Sequence, residues 1–214
     1  MKIAILSDIH GNYSALSKVV CDAKQRGTEH YIFAGDYCLS GAWPDDCIKT
    51  IMEMPDKTII RGNEEQYLEN LIGKDQASWT DGQMQISYWC YRNIRPDHLQ
   101  YLFSLPQITE LEVNGVKICV SHFSDTFLGE YELLHIGSGV LAKKYADTQV
   151  TSEILRKDIQ AILNNDSVFM ERVHALEDGV YVFGHSHVQW SYKVADRNTF
   201  RCSSSSFPRM LLSR

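Results

Sequence analysis

Short apolar runs that stop abruptly on polar residues recur along the first third of the chain. Lys2 to Ser7 encloses the continuous apolar stretch Ile3-Ala4-Ile5-Leu6 and gives way to Asp8-Ile9-His10-Gly11-Asn12, the pattern of a buried strand with polar groups at its tip. Asn12 is placed to cap a helix from Tyr13 to about Arg26, with Ala15, Leu16, Val19, Val20 and Ala23 at helical spacing and Gly27 to end it. The unit then repeats. His30-Tyr31-Ile32-Phe33-Ala34 reads as a second strand ending in Gly35-Asp36-Tyr37, and Pro44 suits the first position of a helix reaching about Met54. Thr58-Ile59-Ile60 is a third strand, ending in Arg61-Gly62-Asn63-Glu64 before another amphipathic helix. Three consecutive strand-to-helix units predict an α/β fold with a parallel sheet.

The middle of the chain changes character. From Glu65 to about Leu105 the pattern is helical, with Thr80 and Gln83 spaced as a capping box and Pro96 breaking the stretch before a short helix over Asp97 to Leu105. Ile108 to Val113 and Val116 to Val120 flank Asn114-Gly115, a two-residue hairpin signal, and lead to Ser121-His122-Phe123. A second helical stretch spans about Gly139 to Ala175. Val180 to Phe183 is then a strand ending in Gly184-His185-Ser186-His187, followed by alternation through Val194.

Composition narrows the class. The 214 residues, 44% apolar and 22% charged, suit one globular domain spanning 1–214, with helical insertions at about 65–105 and 124–176. No apolar run has membrane-spanning length, and Met1 leads directly into a strand without signal-peptide architecture, so a cytoplasmic location and no membrane partner are expected. The net charge of −6 argues against an extended nucleic-acid partner, and any phosphate must be held locally. Six scattered cysteines without a C-x-x-C pair read as reduced thiols.

The chemistry lies at the strand ends. Five of them carry Asp8/His10, Asp36, Asn63, His122 and His185/His187, and in open α/β folds such ends converge on one crevice. Two carboxylates, four imidazoles and one amide, with no thiolate, suit borderline-hard divalent ions. Seven donors exceed one tetrahedral shell and fit two ions sharing a carboxylate.

The ordered blocks Asp8-Ile9-His10, Gly35-Asp36, Gly62-Asn63, His122 and Gly184-His185-Ser186-His187 resemble those of the calcineurin-like metallophosphoesterase superfamily, in particular its small bacterial and archaeal phosphodiesterase branch. The resemblance implies a four-layer α-β-β-α sandwich with helical insertions over a metal cleft. It assigns Asp8, His10 and His187 to one metal, Asn63, His122 and His185 to the other, and Asp36 to a bridging position. It also implies two divalent ions per chain (manganese, iron, zinc or nickel) and hydrolysis of a phosphodiester or nucleotide pyrophosphate bond by metal-bound hydroxide. Asp36, Asn63, Glu64 and His122 are then the candidate catalytic residues, and a small phosphorylated substrate, such as a nucleotide or dinucleotide, is the expected partner. Assembly into a homo-oligomer stays open. The alternatives are a non-catalytic scaffold of the same fold and a protein serine/threonine phosphatase.

Two departures stand out. Many members of the resembled family carry Gly-Asn-His, where the histidine protonates the leaving oxygen or stabilises the transition state; here the triplet is Gly62-Asn63-Glu64. A carboxyl can act as a general acid only if its pKa is raised well above about 4.3, so activated aryl diesters and pyrophosphate-linked nucleotides are expected to be better substrates than esters with poor leaving groups. Relatives also continue into an Asn-Pro-Gly-Ser turn, whereas this chain has Thr199 to Pro208 with four consecutive serines. His30, His98, His135 and His174 read as structural or surface residues, although His135 could reach a substrate. The aromatics Trp79, Tyr88, Trp89, Tyr91, Tyr101 and Phe103 read as packing of the first insertion, with nucleobase stacking the minority alternative; Arg61, Arg92 and Arg95 are candidate phosphate contacts.

Overall fold

A computed structural model describes residues 1–129, 131, 133, 136–194 and 201–204. The first three strands, β1 (Ile3–Leu6), β2 (His30–Ala34) and β3 (Lys57–Ile60), pair in parallel in the order β1-β2-β3. They alternate with α1 (Tyr13–Gln25), α2 (Pro44–Glu53) and α3 (Asn63–Glu69). Asn12 caps α1 by accepting the Ala15 N–H at 3.1 Å, and Pro44 opens α2 ahead of Asp45 and Asp46, which complement the positive end of that helix.

The helical region after α3 is less continuous than its periodicity predicts. Single 3₁₀ turns at Gln76–Ser78 and Gly82–Met84 precede α4 (Gln85–Asn93) and α5 (Pro96–Ser104). The expected Thr80–Gln83 capping box does not form: Asp81 caps instead, accepting the Gln83 N–H at 2.9 Å. Its carboxylate reaches the N–H two residues on, a local competition that spacing alone does not resolve.

The second sheet begins with the hairpin of β4 (Ile108–Val113) and β5 (Val116–Ser121), whose register closes at Val113 opposite Val116. Asn114 (φ 52°) and Gly115 (φ 76°) both take the left-handed conformation that a two-residue turn of this hand requires. The helices α6 (Asp125–Leu128), α7 (Ser138–Lys144), α8 (Ser152–Asn164) and α9 (Ser167–Ala175) carry the chain to β6 (Val180–Phe183), parallel to β5. After β7 (Trp190–Tyr192) the tail supplies β8 (Arg201–Ser204), which inserts between β6 and β7, parallel to the former and antiparallel to the latter. Residues 195–200 and 205–214 of the atypical tail lie outside the described residues.

The two sheets pack face to face with helices outside each, and the strands sort their side chains accordingly. Ile3, Ile5, Ile32, Ala34 and Ile60 meet Ile118, Val120, Val180 and Val182 between the sheets. The alternate residues Ala4, Leu6, Tyr31 and Phe33 join Leu16, Val20, Ile48 and Ile51 beneath α1 and α2. On the opposite flank Cys119, Tyr181 and Phe183 join Leu141, Ile159, Leu163, Phe169 and Val173. The continuous apolar runs are thus strands buried on both faces, in the four-layer α-β-β-α arrangement. Tyr88 and Trp79 of the aromatic segment stack at 4.9 Å and belong to the core under the first sheet.

Ile32 is fully buried between the sheets. Ile32→Ala is expected to lower unfolding stability by about 2–5 kcal/mol, whereas Lys157→Ala at an exposed helical pair changes it by about 0.5 kcal/mol or less. Urea denaturation of the two variants measures the difference.

Candidate metal centre

Five strands deliver their carboxyl ends to one place, and the turns that follow them are bent sharply. Asp8 (φ 54°), His10 (φ 52°), Asp36 (φ 58°), His185 (φ 66°) and His187 (φ 54°) all lie in the left-handed region. For non-glycine residues this costs of order 1–3 kcal/mol each and persists only where surrounding structure enforces it. Here a backbone lattice does so. The Asp8 N–H donates to Gly35 O at 3.0 Å, Ile9 and His10 both donate to Asp36 O at 2.8 and 3.1 Å, and Gly184 donates to His122 O at 3.0 Å. Glycine precedes Asp36 and His185, and also Asn63, because nothing larger fits. A Cβ on Gly62 would stand 2.2 Å from Asp36 Oδ1, and one on Gly184 would stand 2.1 Å from Ser7 Oγ.

The resulting cluster brings together every donor that the sequence places at a strand end. Ligand-capable atoms of Asp8, His10, Asp36 and His187 lie within 4.8 Å of one another, as do those of Asp36, His122 and His185, so Asp36 belongs to both groups. Asn63 Oδ1 lies 3.1 Å from His122 Nε2 and 3.0 Å from His185 Nδ1, which places it with the second group. Within the first, His10 Nε2 is 2.9 Å from His187 Nε2, and His187 Nε2 is 3.3 Å from Asp8 Oδ1.

The surroundings orient these groups. His122 Nδ1–H donates to Ala34 O at 2.7 Å, leaving Nε2 toward Asp36 Oδ2 at 3.2 Å. Asp36 Oδ1 accepts the Glu64 N–H at 3.0 Å, and Asp8 Oδ1 accepts the His185 N–H at 3.0 Å. Glu64 is itself buried. Its Oε1 accepts from His10 Nδ1 at 2.6 Å and its Oε2 from the Leu39 N–H at 2.8 Å.

Electrostatics follow from this crowding. Burial pushes the Asp8 carboxyl up to about 6, against the attraction of His122 and with the repulsion of Asp36. Burial alone would depress His10, but the hydrogen bond and charge of Glu64, with Asp36 and Asp8, raise it to about 9. Burial is likewise outweighed at His122, which Asp36 and Asp8 raise to about 9. Asp36 is held below the usual carboxylate range: burial, which opposes this, yields to the His122 charge and hydrogen bond and the Glu64 N–H. Burial and the neighbouring positive His10 depress His187.

The donor set fits divalent cations. Asp8 Oδ2 is buried without a hydrogen-bond partner among oxygen and nitrogen donors; such an orphaned anionic atom is costly unless a cation meets it. The absence of thiolates from the two donor groups matches harder ions rather than a structural zinc site. A third group, Cys38, Glu64 and Glu65, has a different explanation. Glu65 is committed to backbone, accepting N–H groups of Asp36 at 3.0 Å, Tyr37 at 2.9 Å and Gly62 at 2.7 Å. That structural role escaped the sequence reading, although Glu65 stands at the third helical position after Gly62, where a back-reaching carboxylate is common.

Among the described residues, two larger cavities border the centre. One of about 700 Å³ is lined by Asn63, Glu64, Phe123, Lys143, His185 and Trp190, and one of about 580 Å³ by Asp8, Asn12, Leu16, Val19 and Trp43; both reach His10 and His187. Nothing in the sequence pattern sets Trp43, Phe123, Lys143 or Trp190 apart. The candidate stacking residues Trp79 and Tyr88 are buried at 8% and 6% exposure and line neither. Of the three arginines, Arg61 pairs with Glu69 and borders a smaller cavity of about 200 Å³ beside Asn63 and His122; Arg92 lies over Trp79, and Arg95 pairs with Asp97. His30 bonds to Thr58, His98 to Asp45 and His174 to Met170 O, outside the cluster, and His135 lies outside the described residues.

Comparison with known proteins places this geometry in a family. An uncharacterized protein of Methanocaldococcus jannaschii is 32% identical over 121 residues, 56% of this chain and 48% of that protein, so the chain spans about half the length of this curated relative. A metallophosphoesterase of Sphaerobacter thermophilus has the same fold, with a TM-score of 0.58 at 18% identity over 95% of this chain and 75% of its own. A protein of Pyrococcus horikoshii gives a TM-score of 0.60 at 14% identity over 96% and 76%. Residues 1–189 match the family described as calcineurin-like phosphoesterase, a family that implies divalent metal ions, and the chain belongs to it.

Proposed function

We propose that the protein is a dinuclear metal-dependent phosphodiesterase acting on a small phosphoester or a nucleotide pyrophosphate. The observation that carries this reading is the sharing of the buried Asp36 carboxylate between two donor groups. Asp8, His10 and His187 would hold one ion and Asn63, His122 and His185 the other, with Asp36 bridging. When bound, two such ions supply positive charge to both oxygens of an in-line displacement at phosphorus and lower the pKa of a coordinated water.

The chain's own residues account for the remainder. Ala34 O fixes the His122 ring through Nδ1–H, so that Nε2 presents its lone pair to the centre. By donating to Oδ1, the Glu64 N–H orients the Asp36 carboxylate, the group that would be shared by the two ions. Lys143 lines the larger cavity and offers it a positive charge, which suits an anionic substrate in an otherwise acidic protein. The two cavities that share His10 and His187 in their lining would receive the two organic groups of a diester.

Asp36→Asn removes the shared anion while keeping the side-chain shape. It is expected to weaken metal binding at least about 100-fold, more than loss of an outer-sphere partner does, and to abolish hydrolysis of an aryl phosphodiester. Elemental analysis after dialysis against Mn²⁺ should find about two ions per wild-type chain and fewer in the variant; full metal loading of Asp36→Asn contradicts the assignment, and a wild-type chain that binds none supports the scaffold alternative.

Acidity supplies a second test. His10 and His122 are raised from 6.5 to about 9, so their protonation stabilises the metal-free fold below pH 6.5 and that contribution is lost as pH rises through about 9. Both rings must shed those protons to become ligands. Apparent Mn²⁺ affinity should therefore climb from about pH 6.5 to about pH 9, with proton release at pH 7 detected by calorimetry in buffers of different ionisation enthalpy. Affinity that is flat across the window, with no proton release, contradicts the account.

A further inference from the structure

Glu64 stands where many relatives place a histidine that serves the leaving group, and its surroundings assign it different work. Both carboxylate oxygens are engaged: Oε1 accepts from His10 Nδ1 at 2.6 Å and Oε2 from the Leu39 N–H at 2.8 Å. The residue is 5% exposed, and its own N–H is held by Asp36 Oδ1 at 3.0 Å. It borders the larger cavity, but both contacts favour the ionised carboxylate, because a neutral carboxyl is the weaker acceptor for the His10 Nδ1–H and the Leu39 N–H.

The contact with His10 has a directional consequence. With Nδ1–H donating to Glu64, the free lone pair of the ring sits on Nε2, which lies 2.9 Å from His187 Nε2 and shares its donor group with Asp8 and Asp36. A carboxylate behind a ligating histidine fixes tautomer and ring orientation and raises ligand basicity. His10 has particular need of such an anchor. Its backbone is left-handed at φ 52° and its side chain is 21% exposed, whereas the buried His122 is oriented by the backbone carbonyl of Ala34.

We propose that Glu64 is a positioning residue that locks the His10 imidazole with Nε2 toward the ion held by Asp8, His10 and His187, and that it does not protonate the leaving group. The proposal rests on the reading of His10 as a metal ligand. It concerns one ion of the two, which gives it a signature separate from general loss of structure.

The test uses the full chain, stripped of metal, as wild type, Glu64→Gln and Glu64→Ala. Mn²⁺ binding is followed by calorimetry, Co²⁺ coordination by visible absorption, and hydrolysis by an activated aryl diester and an alkyl diester. Glu64→Ala should weaken one of the two ions by about 10–100-fold and alter the Co²⁺ spectrum of that site, with the other ion bound as in wild type. Glu64→Gln keeps an acceptor for His10 but has no acid proton; it should lie between wild type and Glu64→Ala in affinity and lose activity on both esters in the same proportion. Thermal melting of the metal-free proteins separates these effects from misfolding, and Glu64→Gln carries the test if Glu64→Ala does not fold. Wild-type affinity for both ions in the two variants overturns the proposal. So does selective loss of alkyl-diester hydrolysis in Glu64→Gln at unchanged metal affinity, the behaviour of a proton donor. A wild-type chain that binds no Mn²⁺ overturns the ligand reading beneath it.

Discussion

The carboxylate of Asp36 is 1% exposed and held in its ionised range. An isolated carboxylate at such depth would cost several kcal/mol. Its anionic form survives because His122 Nε2 stands 3.2 Å from one oxygen and the Glu64 N–H donates to the other. Much of the nearby structure serves this burial. Gly62 is side-chain-free so that Asp36 Oδ1 can approach, and Glu65 ties together the N–H groups of Asp36, Tyr37 and Gly62. The packed sheets then bring the tips of β1, β2, β3, β5 and β6 to the same carboxylate.

Rigidity and strain are two sides of this arrangement. Five of the seven candidate ligands adopt left-handed backbone geometry, at a cost that only an over-determined scaffold can sustain. The scaffold is the pair of sheets with their branched aliphatic interlayer, from Ile3 and Ile32 on one side to Val120 and Val182 on the other. Its stability is therefore part of what holds the seven candidate ligands in register, the kind of preorganisation that makes an electrostatic site effective.

Much of this was legible in the sequence, for identifiable reasons. Strands buried on both faces leave uninterrupted apolar runs, so Ile3–Leu6, His30–Ala34 and Val180–Phe183 declare themselves, and the Asn114-Gly115 hairpin is written in a dipeptide that its turn favours. The donors were visible because each follows such a run. What stayed hidden depends on distance rather than pattern. Arg201–Ser204 inserts between β6 and β7 although its serines have low strand propensity, since pairing on both sides overrides it. The partner of Glu64 lies 54 residues away at His10, beyond any local spacing rule. The exposed Trp43 and the buried Trp79 look alike in sequence, yet only the former borders the centre.

Family membership and geometry together make the central claim a structural one, that Asp36 is shared by two ions. Anomalous scattering at the manganese edge from crystals grown with Mn²⁺ addresses it most directly. The account predicts two peaks roughly 3.5–4 Å apart, one beside Asp8, His10 and His187, the other beside Asn63, His122 and His185, with the Asp36 carboxylate between them. A single peak, or a pair of peaks that Asp36 does not bridge, would contradict it.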